Sequence, residues 1–248
     1  EPNDGWAYDA FLADLKVNPA WTASQLATDI VAQYGISYRG AETLSALDLS
    51  VLGADGPGGL AAAVSNLASV TMSDATADDY RALAGHRDAA PYYADQDFRD
   101  LGTFLTSIAN DAGLTGSIHN AADTALSAYN SAILQNHSGV SDGATGLSIY
   151  LPAAACSPDP EYASTVIAFA NDTQWDEFLE WWGAAGAIQR RGYSPENRLS
   201  LQGCEEMGTG SESAHAAPAN SASSEVPVPI SSQSLRESSA VVAEKQTI

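Results

Sequence analysis

Bases are scarce in this chain: ten lysines and arginines face 31 acids over 248 residues, only two of the ten are lysine, and the formal charge is −21. Such a field repels a phosphate backbone or an anionic bilayer, which excludes a general nucleic-acid binder and favours neutral or basic partners. Cysteine is scarcer still. Cys156 and Cys204 alone exclude a disulfide-dense mini-scaffold and a multi-cysteine zinc site. No apolar run approaches the roughly 20 residues of a membrane-spanning helix. A Gly-rich phosphate loop, a Gly-x-Ser-x-Gly elbow and a His-Glu-x-x-His pair are also missing.

What remains is a globular composition, 45% apolar and 17% charged. Residues 1–188 carry 24 acids and five bases, so almost all of the excess charge belongs to them, as in a solvated acidic surface. Residues 189–248 lose hydrophobic periodicity in Ser, Ala, Pro and Glu, and ordering them costs roughly 1 to 2 kcal/mol per residue without apolar burial to offset it. They read as a disordered low-complexity tail or linker. The opening Glu-Pro-Asn-Asp-Gly-Trp has neither an initiator Met nor a leader, and reads as the interior of a longer chain.

Periodicity supplies the elements. Asp4 is placed to cap a helix carrying Tyr8, Phe11, Leu12 and Leu15 on one face, and Thr22-x-x-Gln25 is a capping box for a second, stopping near Gly35. Thr43–Leu49 suits a strand covered on both faces of a mostly parallel sheet. Gly-Pro-Gly-Gly at 56–59 breaks the chain before a helix with Leu60, Ala63, Val64 and Leu67. Gly85, Pro91 and Tyr92-Tyr93 mark a turn-rich connection into a helix with Phe98, Leu101, Leu105 and Ile108. Ile118 to Ala132 forms a long amphipathic helix, and Leu147, Ile149 and Leu151 alternate as a strand between Gly146 and Pro152. Two last helices pass through Tyr162, Val166 and Phe169, and through Trp175, Phe178, Leu179 and Trp182. Many helices with few, buried strands indicate a three-layer α/β arrangement, here incomplete because two strands do not make a sheet.

Candidate chemistry is thin. Cys156 reads as an ordinary loop thiol with no evident base, and Cys204 falls in the tail. His86 and His119 read as surface and helix-start residues. Asp78-Asp79, Asp95-x-Asp97 and Asp97-x-x-Asp100 lack the glycine turn and closing glutamate of a calcium loop and read as a solvated acidic face. Trp175, Phe178, Trp181 and Trp182 fit core packing better than a sugar platform. The sequons at Asn136 and Asn171 match a pattern common by chance.

Five blocks taken in order carry more. Glu1-Pro-x-x-Gly-Trp-x-Tyr8, Thr43-Leu-Ser-Ala-Leu-Asp-Leu-Ser50, Asp100-Leu-Gly-x-Phe104, Gly146-Leu-Ser-Ile-Tyr-Leu-Pro152 and Trp175-x-x-Phe-Leu179 resemble the clostripain-like cysteine peptidase family over about residues 1–183. The resemblance implies a caspase-like α/β/α sandwich and a secreted prokaryotic endopeptidase, extracellular or in the cell envelope, that cuts protein substrates after basic residues with a His–Cys dyad. Some relatives are activated by calcium. In that pattern both dyad residues precede the first block, so neither maps onto a residue here, and residues 1–188 would be the C-terminal part of the domain, completed by the remainder of it. The Glu1–Trp6 loop would then line the substrate cleft, with Trp6 as an apolar wall and Glu1 or Asp4 drawing in a basic group. Asp4 as a cap and Trp6 as core is the structural reading of the same residues. A non-catalytic peptide- or glycan-binding module derived from that fold is the alternative function.

Overall fold

The computed structural model describes residues 6–38, 43–53, 59–93, 95–139, 143–154, 156–162, 167–191 and 240–244. In chain order the elements are α1 (Tyr8–Val17), α2 (Ala23–Ser37), β1 (Leu44–Asp48), α3 (Leu49–Leu52), α4 (Leu60–Asp74), α5 (Ala77–Ala89), β2 (Phe98–Asp100), α6 (Leu101–Ala109), α7 (Gly116–Ala132), β3 (Ile133–His137), β4 (Ser148–Tyr150), α8 (Ala168–Asp172), α9 (Trp175–Arg191) and β5 (Ala240–Glu244). This is a helix-rich α/β chain with two small sheets, ordered β3-β1-β5 and β2-β4.

The first four positions of β1 are buried, as expected of a strand covered on both faces. Its pairings are nevertheless antiparallel: Leu44 faces His137 of β3 on one side and Glu244 of β5 on the other. A continuous apolar run reports how many faces are covered and carries no information on neighbour direction. β5 also corrects the tail reading at five residues. Its Ala-Val-Val-Ala-Glu sequence is β-branched, a signal that a search for helical stripes passes over. α9 continues to Arg191, three residues past the expected boundary, and the rest of 192–248 lies outside the described residues.

The main core joins α4, α6, α7 and α9 through Leu67, Phe104, Leu105, Ile118, Ala125, Phe178 and Trp182. The small-residue seam of α7, with Ala121, Ala122, Ala125, Ala128 and Ala132 buried, lets α4 and α6 pack closely against it. A second cluster lies between α2 and β1, with Ala27, Val31, Tyr34, Leu44 and Ala46.

Several expectations change. α1 starts after Ala7, whose N-cap position has no side-chain cap, and Asp4 lies outside the described residues. Only Phe11 of its stripe is buried, because α1 packs chiefly against α2; Tyr8 and Leu12 are each 51% exposed. The Thr22–Gln25 capping box is present, but α2 runs through Gly35. A side chain there would meet the His137 ring at 2.6 Å, so this glycine marks a close approach, not a helix end.

The connection around Gly85 is α5, opened by a second capping box at Thr76 and Asp79. Phe98 belongs to β2 and is 42% exposed. β3, directly continuous with α7, had no separate signal. The helix expected through Tyr162, Val166 and Phe169 is reduced to α8, with Tyr162 in a preceding turn and Val166 outside the described residues.

Candidate functional site

Two of the sequence blocks, Gly146–Pro152 and Trp175–Leu179, meet in space around the end of β4. Three successive backbone carbonyls there each take a side-chain donor. Trp175 Nε1 donates to the Tyr150 carbonyl (2.9 Å), Arg87 Nε to Leu151 (3.0 Å) and Trp182 Nε1 to Pro152 (3.1 Å). Tyr80 Oη closes the arrangement on the Trp182 carbonyl (3.0 Å). Burying such carbonyls unpaired would cost on the order of 1–3 kcal/mol each, so the indole N–H groups and the guanidinium have structural work here. Trp175, Phe178 and Trp182 are buried, which removes the sugar-platform use of that aromatic run.

Asp100 holds the second junction. Its fully buried carboxylate caps α6 through the Thr103 N–H (2.8 Å) and accepts from Tyr93 Oη (2.5 Å), the Thr145 N–H (2.8 Å) and Thr145 Oγ1 (2.6 Å). Burial opposes its charge, but these bonds prevail and its pKa lies below the ordinary value. The Thr145 hydroxyl proton is committed to Asp100, so Tyr129 Oη donates to Thr145 and in turn accepts from the Leu147 N–H. Burial pushes the Tyr129 phenol up to about 12, keeping that proton in place. Gly102 is required here, since a Cβ would lie 2.6 Å from the Tyr129 ring.

The expected solvated acidic face is therefore corrected at Asp79 and Asp100, which are buried and serve as anchors. Asp97 is also engaged, with Arg87 at 3.4 Å. Among the described residues no group of three or more His, Cys, Asp or Glu side chains is placed to hold a metal ion.

None of the described residues forms a thiol–imidazole pair. Cys156 is disulfide-bonded, which corrects its reading as a free loop thiol. Cys204 lies outside the described residues. His86 pairs with Asp111 (2.8 Å) and His119 with Asp123 (3.5 Å), while His137 packs edge-on against Tyr34. Asn136, in one sequon, is occupied by Ser45 Oγ and the Ala144 carbonyl.

The clostripain family model matches residues 1–182, a span that takes in every block and junction described above. The chain belongs to the clostripain family. No curated protein and no solved structure matches it. Clostripain-family membership carries a cysteine-peptidase-related function with protein substrates. Among the described residues no helix is long and apolar enough to cross a membrane.

Of the expected substrate-side residues in this clostripain-family chain, Glu1 and Asp4 lie outside the described residues. Trp6 is partly buried against the α2–β1 cluster. The structure adds a cavity of about 590 Å³ that the sequence reading missed, between the loop Ser157–Tyr162 and α9. Asp159, Asp176 and Glu180 line it. Gly183 lets the loop approach, since a Cβ would stand 2.8 Å from the Cys156 carbonyl. The signal was present as acids at 176 and 180, one helical turn apart, but nothing in the sequence brings Asp159 and Tyr162 to face them.

Proposed function

We propose that this chain is the substrate-side portion of a cysteine endopeptidase that cleaves proteins after Arg or Lys, with its catalytic His and Cys upstream of Glu1 in the intact protein. The observation that carries this reading is the family match over residues 1–182 in a chain whose described residues pair no thiol with an imidazole. The upstream cysteine attacks the scissile carbonyl, while the histidine takes the thiol proton and delivers it to the leaving amine. The β3-β1-β5 sheet, in which both edges of β1 are already paired, is extended at an outer strand into the central sheet of a three-layer caspase-like sandwich completed by the upstream residues.

The loop Glu1–Trp6 forms one wall of the cleft in this reading. Trp6 presents an apolar surface, and Glu1 or Asp4 neutralises the basic group before the scissile bond. An extracellular or cell-envelope location is supported by the disulfide at Cys156, because such bonds persist in oxidising compartments.

The test compares Asp4→Asn and Glu1→Gln with the parent in the intact enzyme, by kcat/KM on peptides ending in Arg, Lys or Leu. A carboxylate in the specificity pocket gives about a tenfold or larger loss confined to Arg and Lys. Equal losses on all three overturn that assignment.

A further inference from the structure

β1 is the middle strand of its sheet, and its two partners reach it by different routes. β3 follows α7 without a break, so one edge of β1 is covered by chain that the main core already fixes. β5 pairs with the other edge in a full antiparallel register, from Leu44 opposite Glu244 to Asp48 opposite Ala240. It stands 48 residues of sequence beyond the end of α9. A connection of that length spans up to about 160 Å, so it does not dictate where residues 240–244 settle. Their place is set by β1 itself, with α2 and α3 alongside.

Leu44, Ser45, Ala46 and Leu47 are buried, so an open edge there would present unpaired N–H and C=O groups beside an apolar strand. That is the condition that recruits a further strand. Five residues return few ladder bonds against the entropy of ordering them, and a strand this short keeps its place chiefly through its attachment. A Ser/Ala/Pro-rich linker of 48 residues gives its far end a local concentration on the order of millimolar. A strand held in this way leaves and returns without unfolding the main core. We propose that the β5-side edge of β1 is a strand-acceptor site, with residues 240–244 as its tethered occupant. The site takes an extended peptide of the same Ala-Val-Val-Ala kind in their place: the main-chain ladder supplies affinity, and small or β-branched side chains fit beside the apolar strand. Occupancy by the chain's own strand closes the edge to other chains at micromolar concentration, and loss of that strand opens it.

Native-state hydrogen exchange on the whole 248-residue chain tests this first without any substitution. The amides of residues 240–244 are expected to exchange at least about 100-fold faster than those of α7. Val241→Pro combined with Val242→Pro then removes two adjacent N–H groups, one of which points at β1 in an antiparallel ladder. That variant should lose protection at residues 44–48 about tenfold or more. A synthetic peptide of residues 237–248, added at millimolar concentration, should restore it, and the same peptide with both valines replaced by proline should not. Exchange at 240–244 as slow as in α7, unchanged protection of β1 in the double variant, absence of rescue by the peptide, or saturation of the unsubstituted chain by micromolar peptide overturns the proposal. The comparison within the unsubstituted chain decides the matter if the double variant does not fold. None of these readouts involves bond cleavage, so the strand-acceptor site and the peptidase reading stand or fall separately.

Discussion

Asp79 and Asp100 use the same chemistry at two helix starts. Each carboxylate accepts hydrogen bonds from threonine N–H and hydroxyl groups, Asp79 from Thr76 and Thr115, Asp100 from Thr103 and Thr145 with Tyr93. Asp79 thereby ties the first turn of α5 to the start of α7. Burial alone would raise its pKa, but the bonds from Thr76 and Thr115 bring it down to about 2. A carboxyl lowered on folding stabilises the native state above its unfolded pKa, and that contribution disappears as pH falls through the folded value. From the ordinary value of 3.8, the shift corresponds to about 2 kcal/mol, present above about pH 4 and lost towards pH 2. Urea unfolding of the parent and Asp79→Asn should therefore differ by about 2 kcal/mol at pH 7, the gap closing near pH 2. A gap that is constant with pH would show that the carboxylate charge is not what stabilises the junction.

At the scale of elements, β4 is held by side chains as much as by its strand partner. Replacing Trp175 by Phe keeps the ring but leaves the Tyr150 carbonyl without its donor, with an expected loss of about 1–3 kcal/mol. Trp181→Phe, at a partly buried ring in the same helix, should cost less. Thermal unfolding of the two variants tests the difference, and equal losses would assign the role of Trp175 to packing alone.

The same elements show how far sequence patterns reach. α4, α7, β1 and α9 were legible because each has enough consecutive periodic or apolar positions to bury a face. α5 was missed because Gly85, His86 and Arg87 weaken its pattern. Gly85 meets open space, and Arg87 is buried through hydrogen bonds rather than apolarity. β3 was hidden by its continuity with α7. Partners 64 and 25 residues distant, Arg87 for Leu151 and Trp175 for Tyr150, have no local signature, so the blocks could be matched to a family while the reason for their residues stayed invisible.

Across the whole molecule, burial leaves the charge balance as the composition gives it. Arg87 and Arg99 are buried, each donating to backbone carbonyls, but Asp79 and Asp100 are buried as well, so two bases and two acids are withdrawn from the surface together. The resulting field favours cationic peptides over long range, within a screening length of about 8 Å at physiological salt. It does not itself cut a bond. The described residues supply anchors, a cavity and a disulfide, and the proposed division of labour places the reactive thiol outside Glu1–Ile248.

Labelling of the intact protein with an arginine-directed, thiol-reactive acyloxymethyl ketone, followed by mass-spectrometric mapping, tests that division directly. The modified residue is expected to be a cysteine upstream of Glu1, with Cys156 unlabelled. Stoichiometric labelling of Cys156 accompanied by loss of peptidase activity would contradict the account.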